Sequence, residues 1–316
     1  MDDKVFKTYA EQRAILAARG MIIRHPRAFV KIMQEDDYYN VINGYKKYFI
    51  AGTSPEKYYI GTTLEQIYAL YKFDQELRAI FMEELLKIEK KIKSLIAYHF
   101  SEVYGYKDVV YLQEKNFKNV SSANLEHTRK MIKNIHGTIT YYARKGNNAI
   151  THYVNNYQYV PLWVVNSVLS FGQICHFYSC MKVDDQTKIS NHFNLSASSL
   201  NGFLYYLDDM RNLCAHGGRI YTPNQIERML RFIPDTSYHR QLCVPKNNAQ
   251  NYIYGKKDLL ALFISLRIFA KKSSFTKTKK LFLQKEAKLA KILPAHIMQN
   301  IDREMGCIGK YLPLVN

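Results

Sequence analysis

The sequence lacks the segments that direct a chain across a membrane or hold it there. Residues 1–12 contain no basic stretch followed by an apolar run, so we expect no secretory signal. The longest apolar stretch, residues 160–181, is interrupted by polar side chains and is typical of a buried helix rather than a membrane span. The five cysteines are scattered and odd in number, which favours free thiols in a reducing compartment. We therefore expect a cytoplasmic protein that does not bind membranes.

Spacings typical of metal centres and nucleotide-binding loops are also missing. Cys175, His176 and Cys180 are metal-ligating residue types, but we interpret them as core residues, because adjacent and i,i+5 positions do not converge on a helix. Asp208 and Asp209 point about 100° apart on a helix and do not form a two-metal carboxylate site by themselves. There is no G-x-x-x-x-G-K-S/T loop and no G-x-G-x-x-G, so nucleotide hydrolysis has no support. We predict no metal and no cofactor.

Positive charge is what the sequence has in excess. It contains 45 lysine and arginine residues against 27 aspartate and glutamate residues, a formal net charge of +18. Such an excess indicates a polyanionic or anionic partner, and on charge alone RNA, DNA and membrane remain open. The 26 tyrosines and 16 phenylalanines lie among these basic residues, and aromatic faces beside cations suit nucleic-acid bases and phosphates. For any single tyrosine, burial in the core is the simpler interpretation.

Helical periodicity predicts an all-α fold. Proline is scarce and no segment shows sustained period-2 alternation, so we expect no substantial sheet. Capping-box spacing of Thr8 with Glu11 and of Thr63 with Gln66 predicts two helix starts, the second opening a long core helix that reaches Gly105. We divide the chain into an N-terminal helical region (residues 1–60), a helical core (61–222) and a basic helical C-terminal region (223–316).

One short segment combines residue types suited to chemistry on a phosphodiester. Residues 207–221, LDDMRNLCAHGGRIY, place Arg211, Asn212 and His216 at the end of an amphipathic helix whose start Ser198 can cap. Arginine can offset developing negative charge, and histidine can move a proton near neutral pH. The arginine-to-histidine spacing identifies nothing by itself, because two similar pairs occur elsewhere in the chain. A helix end with an ordinary capping histidine and an arginine at the edge of the core is an equally good interpretation of the spacing.

Helical geometry separates the two charged members of this motif. At 100° per residue, Arg211 and His216 point about 140° apart. Gly217 and Gly218 should end the helix directly after His216. A working site would therefore need a break in the helix or a second chain that supplies the partner residue. A symmetric dimer is the simpler arrangement.

Several stretches together resemble a known family. Residues 211–221, RNLCAHGGRIY, resemble the R-N-x-x-x-H signature of the HEPN ribonuclease superfamily, in the form found in Abi (abortive infection, AbiD/AbiF-like) proteins. Similar landmarks are PLWVVNSVLSFGQICHFY, KTYAEQRAILAARGMII with YYNVINGY, and LLKIEKKIKSLIAYHF with its central I-E pair. The resemblance extends over roughly residues 4–230 in the expected order. Asn166 stands where the family often has an acidic residue, and Gly217 where a second histidine is common.

The resemblance implies a HEPN-type helical bundle with an N-terminal extension, whose homodimer builds one composite site. It implies a metal-independent endoribonuclease that leaves 2′,3′-cyclic phosphate ends. His216 would assist attack by the ribose 2′-hydroxyl or protonate the leaving 5′-oxygen, Arg211 would stabilise the transition state, and Asn212 would hold the geometry. Such an enzyme would act as an antiviral toxin restrained by an RNA or protein antitoxin.

Two other functions remain open on the sequence. The chain could bind RNA on a HEPN scaffold without cutting it, or could be a helical structural partner, which the charge makes the weakest interpretation. RNA contacts are expected from an aromatic and basic segment near the N-terminus, from the last arginine of the motif and from the lysine-rich C-terminal helix. The candidate residues are Tyr45, Lys46, Lys47, Arg219, Lys279 and Lys280.

Overall fold

The computed structural model describes residues 5–118, 120–222 and 230–315. It is 69% helical and 4% strand, which confirms the predicted all-α class. In the part of the chain that is described, no helix combines the length and the apolar character needed to cross a membrane.

The N-terminal region contains two helices and a small hairpin. Helix α1 (Tyr9–Ala18) starts at the Thr8 capping box with Glu11, as predicted, and α2 (Pro26–Glu35) starts with proline in its first turn. A π-helical turn (Tyr39–Asn43) and a 3₁₀ turn (Lys46–Phe49) lead into antiparallel strands β1 (Ile50–Thr53) and β2 (Glu56–Tyr58). The sequence analysis did not detect this hairpin, because its strands are too short to show alternation.

Helix α3 (Leu64–Tyr104) forms the axis of the molecule. It starts at the predicted Thr63–Gln66 capping box and ends at Gly105, whose φ of 81° is disfavoured for residues with a side chain. Its apolar stripe is buried along its whole length, and the motif helix and a C-terminal helix both pack against it. The predicted long core helix is therefore confirmed.

In the described part of the central region the regular elements are helices, joined by turns and loops and by an isolated bridge between Phe117 and Met181. Its helices are α4 (Asp108–Tyr111), α5 (Ser122–Arg144), α6 (Asn148–Tyr157), α7 (Leu162–Val165), α8 (Phe171–Cys180), α9 (Val183–Ser190) and α10 (Ala197–Ala215).

Two local predictions in this region were wrong. The apolar stretch at residues 160–181 is two helices rather than one, because Ser170 and Gln173 form a capping box that starts α8. The N-cap of α10 is Ser196 rather than Ser198, since the Ser196 hydroxyl accepts the hydrogen bond from the Ser199 amide.

The C-terminal region packs onto the rest of the molecule. It comprises α11 (Ser237–Gln241), α12 (Leu259–Phe269), α13 (Lys272–Ala290), α14 (Ala295–Glu304) and α15 (Ile308–Tyr311). Helix α12 is almost entirely buried, and α13 lies against α3. The Ser274 hydroxyl donates to the buried Glu84 carboxylate at 2.7 Å across this contact. The predicted boundary at residue 222 adjoins residues 223–229, which lie outside the described part.

A fully buried carboxylate on α3 joins three parts of the chain. Asp74 accepts hydrogen bonds from the Tyr45 hydroxyl at 2.6 Å and from the backbone amides of Ile220 and Tyr221 at 2.9 and 3.0 Å, and it pairs with Arg78. Burial raises the pKa of the Asp74 carboxyl, and Arg78 and the hydrogen bonds oppose that rise. This cluster fixes the backbone just after the motif to the long helix and to the N-terminal region.

We expect Asp74→Asn to lower the free energy of unfolding by about 3–5 kcal/mol, because it leaves Arg78 without its buried counter-charge. The NH₂ group of the new asparagine would also point at groups that are themselves hydrogen-bond donors, so neither side would be satisfied. Urea unfolding followed by circular dichroism measures the change. Asp184→Asn on the exposed side of α9 is the matched control and should cost less than about 1 kcal/mol. An equally small effect of both substitutions would contradict the role of Asp74.

Candidate functional site

The end of helix α10 is set by two glycines. The helix ends at Ala215, and His216 is its C-cap, as the sequence predicted. Gly217 has φ of 72°, which favours glycine, and the Gly218 amide donates back to the Leu213 carbonyl at 2.9 Å. A Cβ on Gly218 would lie 2.6 Å from a Leu213 methyl carbon. Gly217 therefore allows the tight turn that leaves His216 at the helix end, and a side chain at Gly218 would require the Leu213 side chain to move.

Arg211 lies at the contact between α10 and α3. Its Nε is 3.4 Å from Oε2 of Glu89, and its Nη1 is 3.4 Å from the Asn212 side-chain oxygen. The Arg211 side chain is 27% exposed, whereas that of Glu89 is only 9% exposed. This ion pair, in which neither Nε nor Oε2 makes a hydrogen bond, places the guanidinium on the α3 side of the motif helix and leaves part of it accessible.

Glu89 is a residue whose importance the sequence analysis missed. Its periodicity indicated an i,i+4 pair with Lys93 away from the apolar stripe, and the structure has this pair at 2.8 Å, but nearly buried. Lys93 also donates to the Leu169 carbonyl at 2.6 Å, and its own carbonyl accepts from the Asn166 amide at 2.7 Å. The I-E pair in the middle of the long helix, one of the landmarks of the family resemblance, is the sequence feature that could have pointed to Glu89. Glu89 connects Arg211 to the segment between α7 and α8.

Asn212 faces a second acidic cluster. Its amide donates to Asp208 at 3.4 Å, and Asp208 is buried beside Gly172 of α8, where an added Cβ would lie 3.1 Å from the carboxylate. Burial raises the pKa of the Asp208 carboxyl, and Arg231 opposes that rise. Arg231 also binds both carboxylate oxygens of Asp209. Asn212 is thus oriented by a carboxylate held between two helices.

His216 lies apart from these ion pairs. Its side chain is exposed and makes no hydrogen bond or ion pair with residues 5–118, 120–222 or 230–315. Arg211 instead faces α3, in agreement with the angular separation expected from helical geometry. One chain therefore presents the imidazole to solvent and keeps the guanidinium on a different side of the helix.

A groove beside Glu89 adds aromatic side chains to this region. Its volume is about 620 Å³, and its lining includes Glu89, Lys93, Tyr98, Trp163 and Asn166. Trp163 is 51% exposed, although it is the single tryptophan of the chain and lies in a mostly apolar segment. Sequence periodicity alone could not distinguish this exposed ring from the core.

Tyr45 was predicted to contact RNA, and this prediction was wrong. The ring is 3% exposed and its hydroxyl is bonded to Asp74, so it cannot stack on a base. Arg219 donates from Nη1 to the Gly44 carbonyl at 2.6 Å. Its guanidinium therefore binds the N-terminal segment of the same chain. Both residues connect the motif to the rest of the fold.

The lysines predicted to bind RNA differ in their surroundings. Lys46 pairs with Glu56 at 2.5 Å, and Lys47 pairs with Glu304 at 2.5 Å. Because these ammonium groups already have carboxylate partners, they are weak candidates for phosphate binding.

The two predicted lysines of α13 also differ. Lys279 donates to the carbonyls of Pro313 and Val315 at 3.1 and 2.8 Å, so it holds the end of the described chain. Lys280 is exposed. Of the two, Lys280 is the one placed to meet a phosphate.

A groove lined with lysines lies between α3 and α13, and the sequence indicates only its α3 side. The sequence predicts that the basic run at residues 87–93 is the solvated side of the long helix, with a wall of a nucleic-acid groove as the second interpretation. It does not indicate that α13 forms the other wall. The groove has a volume of about 820 Å³. Burial, together with the nearby charge of Lys271, lowers the pKa of Lys91. The groove lysines are Lys87, Lys90, Lys91, Lys271 and Lys277.

This lysine groove adjoins the groove beside Glu89. Lys90 and Ser94 line both of them, so the two form neighbouring surfaces along one side of α3.

Comparison with known protein families relates the chain to one of them. The model of a family described as Abi-like protein matches residues 31–222, which is more than half of the chain and includes the whole motif. No curated protein and no solved structure matches significantly.

Proposed function

The chain belongs to the Abi-like protein family, and from this premise we propose that it is an abortive-infection toxin that cuts RNA without a metal ion. The observation that carries the proposal is the arrangement at the end of α10. Arg211 is held by a buried carboxylate, and His216 is exposed at the helix end without a partner in the described structure. The exposed imidazole is accessible to a substrate that approaches the end of α10.

The chemistry proposed for the site is transesterification of RNA. His216 accepts the proton of the ribose 2′-hydroxyl or protonates the leaving 5′-oxygen. Arg211 stabilises the negative charge that develops on the phosphorus centre, and Asn212, oriented by Asp208, holds the geometry. The products are a 2′,3′-cyclic phosphate and a free 5′-hydroxyl. DNA lacks the attacking hydroxyl and is not cut.

The site is proposed to form between two copies of the chain. Within one chain, Arg211 and His216 point to different sides of α10, because a spacing of five residues on a helix separates their directions by about 140°. A two-fold axis close to the end of α10 would bring the two motifs face to face, in the manner of the HEPN superfamily that the motif resembles. The toxin would act in the cytoplasm and be restrained by an RNA or protein antitoxin until infection.

Cleavage in EDTA is the first test. We expect the purified chain to cut single-stranded RNA in EDTA and to leave 2′,3′-cyclic phosphate ends, detectable by mass spectrometry. His216→Ala should lower the rate at least about 100-fold, because it removes the proton-transfer group. Its free energy of unfolding should stay within about 0.5 kcal/mol of wild type, since the side chain is exposed. Equal cleavage by both proteins would rule out the proposed site.

Subunit mixing tests the composite site. Arg211→Ala and His216→Ala chains should each be inactive, and equal amounts exchanged to equilibrium should recover part of the wild-type activity, at most about half. Half of the dimers are then mixed, and the composite site of each mixed dimer has Arg211 from one chain and His216 from the other. Each variant mixed with itself is the control. No recovery despite demonstrated exchange would show that the two residues act within one chain.

The alternative function is RNA binding without cleavage, and the lysine groove between α3 and α13 is the observation that favours it. Lys87 is paired with Glu83 and Glu84, but Lys271 lies near enough to Lys91 to lower its pKa together with burial, and a phosphate chain would relieve that repulsion. The groove serves either function, because an enzyme must also hold its substrate. If the wild type and His216→Ala bind RNA equally and neither cuts it, the result favours RNA binding without cleavage.

The groove can be tested through the salt dependence of binding. Lys271→Gln combined with Lys277→Gln should weaken RNA binding and reduce the slope of log K against log salt by about 2, because each lysine that pairs with a phosphate adds about one unit to that slope. Fluorescence anisotropy at several salt concentrations measures both effects. Lys133→Gln with Lys145→Gln removes the same charge from exposed positions outside the groove and should leave the slope nearly unchanged. Equal effects of the two double variants would exclude a localised RNA-binding surface.

A further inference from the structure

Three metal-ligating side chains converge away from the motif. His176 and Cys180 are four residues apart on α8 and so lie on the same face, and His127 reaches them from α5. One donor atom from each residue lies within 4.8 Å of the other two. The two imidazole rings are 3.9 Å apart between centroids.

We propose that His127, His176 and Cys180 bind a Zn²⁺ ion. Two imidazoles and one thiolate are ligands that Zn²⁺ prefers, and three protein ligands leave the fourth tetrahedral position to water. The sequence predicts His176 and Cys180 to be core residues, because the adjacent and i,i+5 positions relative to Cys175 do not converge on a helix. That prediction leaves out the i,i+4 pair of His176 with Cys180 and the ligand from α5, which the packing of α5 on α8 brings near.

The surroundings of His176 favour a ligand role. Its Nε2 is buried and has no hydrogen-bond partner within the described ranges, and an unpaired buried polar atom is costly. A metal ion would use that lone pair.

Cys180 is placed to supply the third ligand. Its side chain is buried at the end of α8, one helical turn after His176. Coordination to a metal ion deprotonates a thiol.

The site needs only a small adjustment to reach bonding geometry. Zinc bonds of about 2.1 Å to nitrogen and about 2.3 Å to sulfur place tetrahedral ligands roughly 3.5 Å apart. The present separations of up to 4.8 Å are larger. His127 is exposed, so its ring can rotate toward the other two ligands without disturbing the core.

Bound zinc would join α5 to the helix that supports the motif. Helix α8 packs against α10, where the Cys175 thiol donates to the Leu204 carbonyl at 3.4 Å. The ion would therefore stiffen the support of the motif helix. It takes no part in the chemistry at His216, so the proposal stands whether or not the chain cuts RNA.

Metal titration of the untagged full chain tests the site. After treatment with a chelator and under a thiol reductant, we expect one equivalent of Zn²⁺ to bind by calorimetry and to raise the melting temperature. Co²⁺ should give tetrahedral d–d bands and a thiolate-to-cobalt charge-transfer band. His127→Ala should weaken Zn²⁺ binding at least tenfold and abolish the thermal shift, and Cys180→Ser should remove the charge-transfer band.

Matched controls separate this site from adventitious binding. His136→Ala removes another exposed histidine of α5, and Cys243→Ser removes an exposed thiol, and neither should change Zn²⁺ binding. His127→Ala also keeps the test valid if the buried Cys180→Ser variant fails to fold. The proposal is wrong if no stoichiometric binding occurs, if His127→Ala binds as wild type does, or if Cys243→Ser removes the binding.

Discussion

The buried carboxylate of Asp74 is the constraint on which the rest of the structure depends. A charge with no exposure must be fully hydrogen-bonded, and its donors come from the N-terminal region, from α3 itself and from the backbone after the motif. Arg78 extends the cluster by donating to the Gly218 carbonyl at 3.3 Å. The turn that ends the motif helix is thereby tied to the longest helix, and its position is not left to a free loop.

A second buried carboxylate on the same helix acts on the motif from the other side. Glu89 holds Arg211 and Lys93, so α3 fixes both the guanidinium and the turn beyond it. His216 is the motif residue that is left exposed. This arrangement is the one expected of the proposed two-chain site, because Arg211 is positioned within its own chain and His216 is exposed where a second chain could contact it.

The basic residues that give the chain its high net charge fall into two groups in the structure. Some have internal partners, as Lys46, Lys47 and Arg219 do, and they stabilise the fold. Others converge on the groove between α3 and α13, where like charges lie together. Composition indicated a polyanionic partner but could not tell which residues would meet it, because ion pairs with distant carboxylates are invisible in a linear charge count.

The sequence by itself determined the all-α class, the two N-terminal capping boxes, the long helix and the glycine-directed end of the motif helix. These features depend on neighbours within one or two turns, so local spacing contains the information. Only the tertiary structure decided that Tyr45 is buried, that Glu89 meets Arg211, that α13 completes the lysine groove and that His127 approaches His176 and Cys180. Each of these depends on which helices pack together, and packing is set by the whole apolar surface of the chain rather than by any segment of it.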